Sequence, residues 1–185
     1  MTTYALNGLG RIGKLALRPL LERGITPVWL NDAVGDPAMH AHLLEFDTVH
    51  GRWPATFEHD ESSITVDGAQ LPVSSEKRLE DLNLEGVDVV IDCTGVFKTE
   101  AKLAPYFDAG VKKVVVSAPV KDGGAVNLVY GVNDGIYEPD NHRIITAASC
   151  TTNCLAPVVK VLHEAIGIRH GSITTIHDVT NTQTI

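Results

Sequence analysis

The chain has 185 residues, 44% of them hydrophobic and 21% charged, the composition of a folded globular protein long enough for one well-buried domain and part of a second. Its 15 Lys and Arg against 23 Asp and Glu leave a formal net charge of -8 with no basic cluster, which argues against nucleic acid or an anionic membrane as the main partner. No apolar run nears bilayer-spanning length and the N-terminus lacks the basic-then-apolar secretory pattern, so the expected compartment is the cytoplasm.

Apolar runs rich in β-branched residues alternate with stretches of helical period. Residues 4–6, 11–23, 27–30 and 38–46 read as strand, helix, strand and helix, the rhythm of a parallel sheet. Residues 55–73 change to short alternating segments with turns at Asp60 and Asp67-Gly68, a small antiparallel excursion. The parallel pattern resumes with a buried strand at 87–92, a helix at 100–109 closing at Gly110 and a strand at 113–116. Residues 126–130 and 143–146 predict two further strands. Ser149 stands at an N-cap position ahead of a helix from about Thr151 to Ile166, ending near Gly167, and residues 172–176 predict one more strand. That last strand needs neighbours, yet only a few polar residues follow it, so the fold is expected to be cut short.

Gly8-Leu9-Gly10-Arg11-Ile12-Gly13 is a complete G-x-G-x-x-G placed after the first strand and at the start of the first helix, the context the motif needs to bind a dinucleotide. Gly8 permits the tight turn, Gly10 lets backbone approach a pyrophosphate, Gly13 allows close helix–strand packing, and the helix N-terminus offers free N–H donors. The second strand ends in Leu30-Asn31-Asp32, and Asp32 falls about twenty residues beyond the motif, where an acid hydrogen-bonds ribose hydroxyls. A carboxylate there repels a 2′-phosphate, so the expected cofactor is NAD rather than NADP.

Three cysteines, Cys93, Cys150 and Cys154, are too few and too oddly numbered for a disulfide framework, so at least one is a free thiol. The Cys150/Cys154 pair has no second ligand pair, and His40 and His42 would point in different directions on a helix, so no metal is expected. In Ser149-Cys150-Thr151-Thr152-Asn153-Cys154 the first thiol stands at a helix start, where the dipole and unpaired N–H groups favour the thiolate. Cys154, one turn on, and Cys93, in a buried strand, read as core. His177 follows a strand among polar residues and is the candidate base for Cys150. The other histidines, at 40, 42, 50, 59, 142, 163 and 170, read as surface or structural.

With these residues in place the chain resembles, along its entire length, the phosphorylating glyceraldehyde-3-phosphate dehydrogenase family. The blocks that carry the likeness are residues 7–13, Asn31-Asp32, 43–51 (LLEFDTVHG), 93–97 (CTGVF), 116–119 (VSAP), 131–133 and 148–154 (ASCTTNC). The Cys150-to-His177 spacing also matches the family's catalytic pair. The resemblance implies a Rossmann-type doubly wound α/β domain over residues 1–149, with a mostly parallel sheet, followed at 150–185 by the start of an α+β catalytic domain. It implies a homotetramer that oxidises a small phosphorylated aldehyde with NAD, through a Cys150 thiohemiacetal and thioester released by an inorganic oxyanion, with His177 as acid and base. By matching position the whole glycine motif, Arg11 and Ile12 included, lines the nucleotide site together with Asp32, Arg78, Thr94, Gly95, Phe97 and Ser117. Ser149 and Thr151 would help bind the attacking anion, and Thr180 the substrate's own phosphate.

Two departures qualify the likeness. The family's phosphate-site arginines and its nicotinamide-binding asparagine lie beyond Ile185, so a little under half of an enzyme is expected to be missing and this piece alone to be inactive. Glu45-Phe46 and residues 176–184 (IHDVTNTQT) resemble a branch found with arsenic-resistance genes, in which arsenate replaces phosphate and the product is an acyl arsenate. The readings that compete with glyceraldehyde 3-phosphate oxidation are a nucleotide-binding module without turnover and a sister dehydrogenase for erythrose 4-phosphate.

Overall fold

A computed structural model of the chain describes residues 1–122 and 124–177. Thr180 lies outside the described residues. Strand β1 (Tyr4–Asn7) runs through the glycine turn into helix α1 (Arg11–Glu22), and β2 (Leu30–Asn31) leads to α2 (Pro37–Glu45). Asp36 starts α2 by accepting the Met39 N–H at 2.7 Å, and Pro37 occupies the first helical position, where its missing N–H costs nothing. A short hairpin follows, β3 (Phe46–Asp47) with β4 (Gly51–Arg52).

The antiparallel excursion is β5 (Phe57–His59), β6 (Ser63–Val66) and β7 (Ala69–Ser74). Its second turn is Asp67-Gly68, with both φ values positive at 48° and 83°, the twist that matches two flanking strands. The rest is β8 (Val89–Asp92), α3 (Glu100–Asp108), β9 (Lys113–Val116), β10 (Val126–Asn127), β11 (Ile144–Thr146) and α4 (Cys150–Ile166).

The strands join one sheet in the order β10-β11-β9-β8-β1-β2-β7-β6-β5. From β10 to β7 every pairing is parallel; β6 and β5 add an antiparallel edge. The excursion is therefore not a separate flap, because β7 pairs in parallel with β2 through Leu30↔Val73 and Asn31↔Ser74. Chain order reverses between β1 and β8, and right-handed crossovers then send α1 and α3 to opposite faces. The two cores record this. Ala5, Val90 and Val114 face one cluster with Leu103 and Tyr106 of α3, while their neighbours Leu6 and Ile91 face the other with Leu17 of α1 and Ala41 and Leu44 of α2. Strands buried on both sides have to be apolar throughout, which explains the unbroken runs in the sequence.

Residues 172–176 form no strand, in contrast to the expectation: among the described residues no segment pairs with them, and Ile173 and Ile176 are 68% and 98% exposed. A β segment without a partner has no ladder to complete. Cys154 is exposed rather than core, since α4 has no buried residue. Cys93 is half-buried and stands just past the end of β8. Among the described residues no helix is long and apolar enough to cross a membrane.

The C-terminal ends of β2, β1 and β8 are tied by a buried polar chain. Asn31 Nδ2 donates to Asn7 Oδ1 at 2.8 Å, Asn7 Nδ2 donates to the Tyr106 hydroxyl at 2.7 Å, and that hydroxyl donates to Asp92 Oδ2 at 2.8 Å. Burial pushes the Asp92 carboxyl up from its usual range, with the bonds from Thr94 and Tyr106 pulling the other way. Tyr106→Phe removes the shared hydroxyl and orphans both an amide donor and a carboxyl acceptor. The expected cost is about 1–3 kcal/mol, read as a lower urea midpoint at unchanged slope; an unmoved midpoint would show that the chain of bonds contributes nothing.

Candidate active site and nucleotide cleft

The glycine turn is built by close backbone approach. Gly8 has φ +96°, its N–H donates to the Asn31 carbonyl at 2.7 Å, and a Cβ on it would sit 2.6 Å from the Cys93 carbonyl carbon and the Thr94 nitrogen. A Cβ on Gly13 would sit 1.8 Å from the Gly8 oxygen. Any other residue at either position would push the first helix off the sheet. Gly10 is different: it is exposed, nothing lies within 4 Å of where its Cβ would be, and it opens α1 without a side-chain cap. The open space and the uncapped N–H groups at this helix start fit a pyrophosphate.

These features border a cleft of about 210 Å³ lined by Gly8, Gly10, Asp32, Arg78, Thr94 and Phe97, all expected there, together with Asn7, Asn31, Glu76, Lys77 and Cys93. It opens at the reversal of strand order, where ligands of doubly wound sheets bind. Asp32 Oδ2 accepts the Leu9 N–H at 2.6 Å and Oδ1 the Val34 N–H at 3.0 Å. Each oxygen keeps a lone pair for a further donor such as a ribose hydroxyl. Thr94 is held by Asp92, to which its N–H and hydroxyl donate at 3.0 and 2.7 Å.

The other expected cofactor residues do not line the cleft. Arg11 turns away to pair with Asp47 at 2.9 Å, Ile12 is 55% exposed, and Gly13 acts through packing. Gly95 supplies a positive-φ turn at +69° after β8, and the Ser117 N–H donates to the Asp92 carbonyl at 2.9 Å while its hydroxyl bonds the Cys93 thiol. Burial pushes that thiol up to about 11, which keeps it protonated. Sequence reasoning missed Asn7, Asn31, Asp92 and Tyr106. Polar residues closing apolar strand runs were the available signal.

The second site begins at Thr146. The Ala147 N–H donates to the Val116 carbonyl and the Ala148 N–H to Thr146 Oγ1, both at 3.1 Å, and Ala148 takes φ +55°, unusual for a residue with a Cβ. The turn delivers Ser149 as N-cap, accepting the Thr152 N–H at 3.1 Å, and Asn153 Nδ2 locks it by donating to the Ala147 and Ser149 carbonyls at 2.7 and 2.9 Å. Cys150 is thereby exposed in the first turn of α4, with its Sγ 3.3 Å from His177 Nε2. The hydrogen bond with His177 holds the Cys150 thiol below its ordinary value, helped by the hydroxyl and N–H of Thr151. Cys150, Thr151 and His177 border a pocket of about 410 Å³ with Cys154, Leu155 and Val158.

Both sites lie on one edge of the sheet, because β2, β1, β8, β9 and β11 are parallel and each site follows their C-terminal ends. Two strand spacings, roughly 10 Å, separate β8 from β11.

Comparison with known proteins agrees with this geometry. Residues 2–100 match the family described as glyceraldehyde 3-phosphate dehydrogenase, NAD binding domain, and residues 149–185 match the C-terminal domain of the same enzyme. The chain is 53% identical over 187 residues to glyceraldehyde-3-phosphate dehydrogenase 3 of Nostoc sp., covering 97% of this chain and 54% of that protein. It is 46% identical to glyceraldehyde-3-phosphate dehydrogenase of Pseudomonas aeruginosa (98% and 55% covered) and 44% identical to that of Thermotoga maritima (100% and 56% covered). The chain thus spans about half the length of the curated relatives it matches. With a doubly wound sheet, a glycine cradle at its reversal point and a helix-capped thiol on the same edge, the chain belongs to the glyceraldehyde-3-phosphate dehydrogenase family.

Proposed function

We propose that this protein is an NAD-dependent oxidoreductase that converts glyceraldehyde 3-phosphate to an acyl phosphate. Residues 1–149 would serve as the NAD-binding domain and 150–185 as the opening of the catalytic domain, in a cytoplasmic homotetramer. The observation that carries the reading is the 3.3 Å Cys150–His177 contact at a helix start on the sheet edge that holds the glycine cleft.

The Cys150 thiolate adds to the aldehyde carbon, forming a C–S bond, and the His177 imidazolium gives its Nε2 proton to the new alkoxide. When bound, NAD supplies the acceptor for the hydride that leaves the same carbon. His177 takes the hydroxyl proton back as that C–H pair departs, leaving a thioester on Cys150. An oxyanion then attacks the thioester carbon, the C–S bond breaks, and the sulfur leaves as thiolate. Thr151, which borders the thiol pocket, and Ser149 would help bind that oxyanion; the Ser149 O–H is free to donate when Thr152 is the donor in their 2.7 Å hydroxyl pair. Thr180 would hold the substrate's own phosphate. Of the residues that resemble the arsenic-resistance branch, Glu45 and Phe46 engage Arg52 and line neither the cleft nor the thiol pocket, Ile176 borders the thiol pocket, and 178–184 lie outside the described residues.

Iodoacetamide at neutral pH should modify Cys150 at least about tenfold faster than Cys93, as the opposite displacement of their two thiol pKa values requires. His177→Asn should slow Cys150 alkylation at pH 7 and move its rise to higher pH. Equal cysteine rates, or a profile unmoved by His177→Asn, would remove the pair from the chemistry. Asp32→Asn, which deletes the charge that repels a 2′-phosphate, should narrow the NAD-over-NADP preference about tenfold or more in a binding titration; an unchanged ratio would take Asp32 out of the cofactor site.

A further inference from the structure

The two residues whose N–H groups bond Asp32 are themselves held through their carbonyls. Leu9 gives its N–H to Asp32 Oδ2, and its carbonyl accepts from Lys14 Nζ; Val34 gives its N–H to Asp32 Oδ1, and its carbonyl lies 3.1 Å from His40 Nε2. Lys14 Nζ and His40 Nδ1 then meet at 3.2 Å. The result is a closed ring of hydrogen bonds, Asp32–Leu9–Lys14–His40–Val34, joining the start of α1, the loop after β2 and the first turns of α2. His40 is 2% exposed and Lys14 is half-buried, so water does not replace a broken member cheaply.

Burial lowers the Lys14 pKa and the Asp32 carboxylate works against that shift, and the charged form of Lys14 fixes the protonation pattern of the ring. Lys14 as an ammonium has only donors, so His40 Nδ1 has to accept and Nε2–H has to donate to Val34. A proton on Nδ1 would face the ammonium with a second donor and break the contact. We propose that Lys14 and His40 are positioning residues of the nucleotide site, and that their bond, available only to neutral His40, makes the ribose-binding geometry of Asp32 depend on His40 protonation. This rests on the reading of the cleft as the NAD site.

The charged groups facing His40 are Lys14 on α1, Asp32 after β2 and Asp36 at the start of α2. Burial and then Lys14 hold the imidazole below its ordinary value, against the two carboxylates and the bond to Val34. Neutral His40 is therefore the form present at neutral pH. The affinity that depends on it is complete there and is lost as the pH falls through the histidine's lowered range. Linkage requires the reciprocal effect, a further fall in the His40 pKa when NAD binds.

The test is NAD binding to the intact protein by calorimetry from pH 8 to pH 5, beside His40→Leu and Lys14→Met. The unsubstituted protein should lose about fivefold to tenfold in affinity across the lower part of that range, whereas His40→Leu should bind more weakly at pH 8 and lose that acid-side dependence. A simply structural His40 would shift affinity at every pH alike, and that result overturns the proposal. NMR titration of the His40 ring in the unsubstituted protein needs no variant: its midpoint should move to lower pH with NAD, and an unmoved midpoint also overturns the proposal. If the unsubstituted protein binds no NAD at pH 8, the reading of the cleft fails and the proposal with it. Normal binding with an unmoved midpoint sinks the proposal alone.

Discussion

The backbone-to-backbone approach at Gly8 is the constraint from which the rest of the structure follows. Its N–H bonds the end of β2, its Cα packs on the peptide that leaves β8, and its carbonyl occupies the space a side chain on Gly13 would need. Three parallel strands and the first helix are thus brought together within a few ångströms at the place where the chain order reverses. A cleft opens there because the connections on either side of the reversal leave toward opposite faces of the sheet. Larger residues at Gly8 or Gly13 would not merely strain a turn. They would separate the helix start from the strand ends that make the cleft.

Once that approach is made, identical functional groups take different chemical roles through burial and partners. Asp32 is half-buried and accepts two backbone N–H groups, leaving lone pairs toward the cleft. Asp92 is fully buried, its carboxyl driven up by desolvation, and it works as an acceptor that ties Thr94 and Tyr106 to the floor. The thiols diverge in the same way. Desolvation keeps Cys93 protonated, whereas exposure at a helix start beside His177 favours the thiolate of Cys150.

The thiol site depends on local geometry more than on packing. Ala148 is held at positive φ by Thr146, Ser149 caps the helix, and Asn153 fastens the turn from inside the first helical turn. Each contact is short in sequence, so the placement of Cys150 survives although the helix that follows keeps no buried residue. The apolar side chains of that helix, Val158, Val161, Leu162 and Ile166 among them, are exposed.

What the sequence determined by itself are the features set by neighbours along the chain. The βαβ rhythm, the glycine turn, the Asp67-Gly68 hairpin, the Ser149 cap and the stop at Gly167 were legible because each rests on local dihedral preference or on a periodicity of 2 or 3.6 residues. The thiol was legible as a cysteine at a helix start, and its histidine only as a residue type at a spacing. Their contact spans 27 positions, the Asn7–Tyr106 link of the polar chain 99, and the Asp32–Leu9 and Lys14–His40 links of the ring 23 and 26, and no local rule connects such pairs. Tertiary structure also overruled the predicted strand at 172–176. A strand is a property of two segments, and the sequence of one states only its readiness to pair.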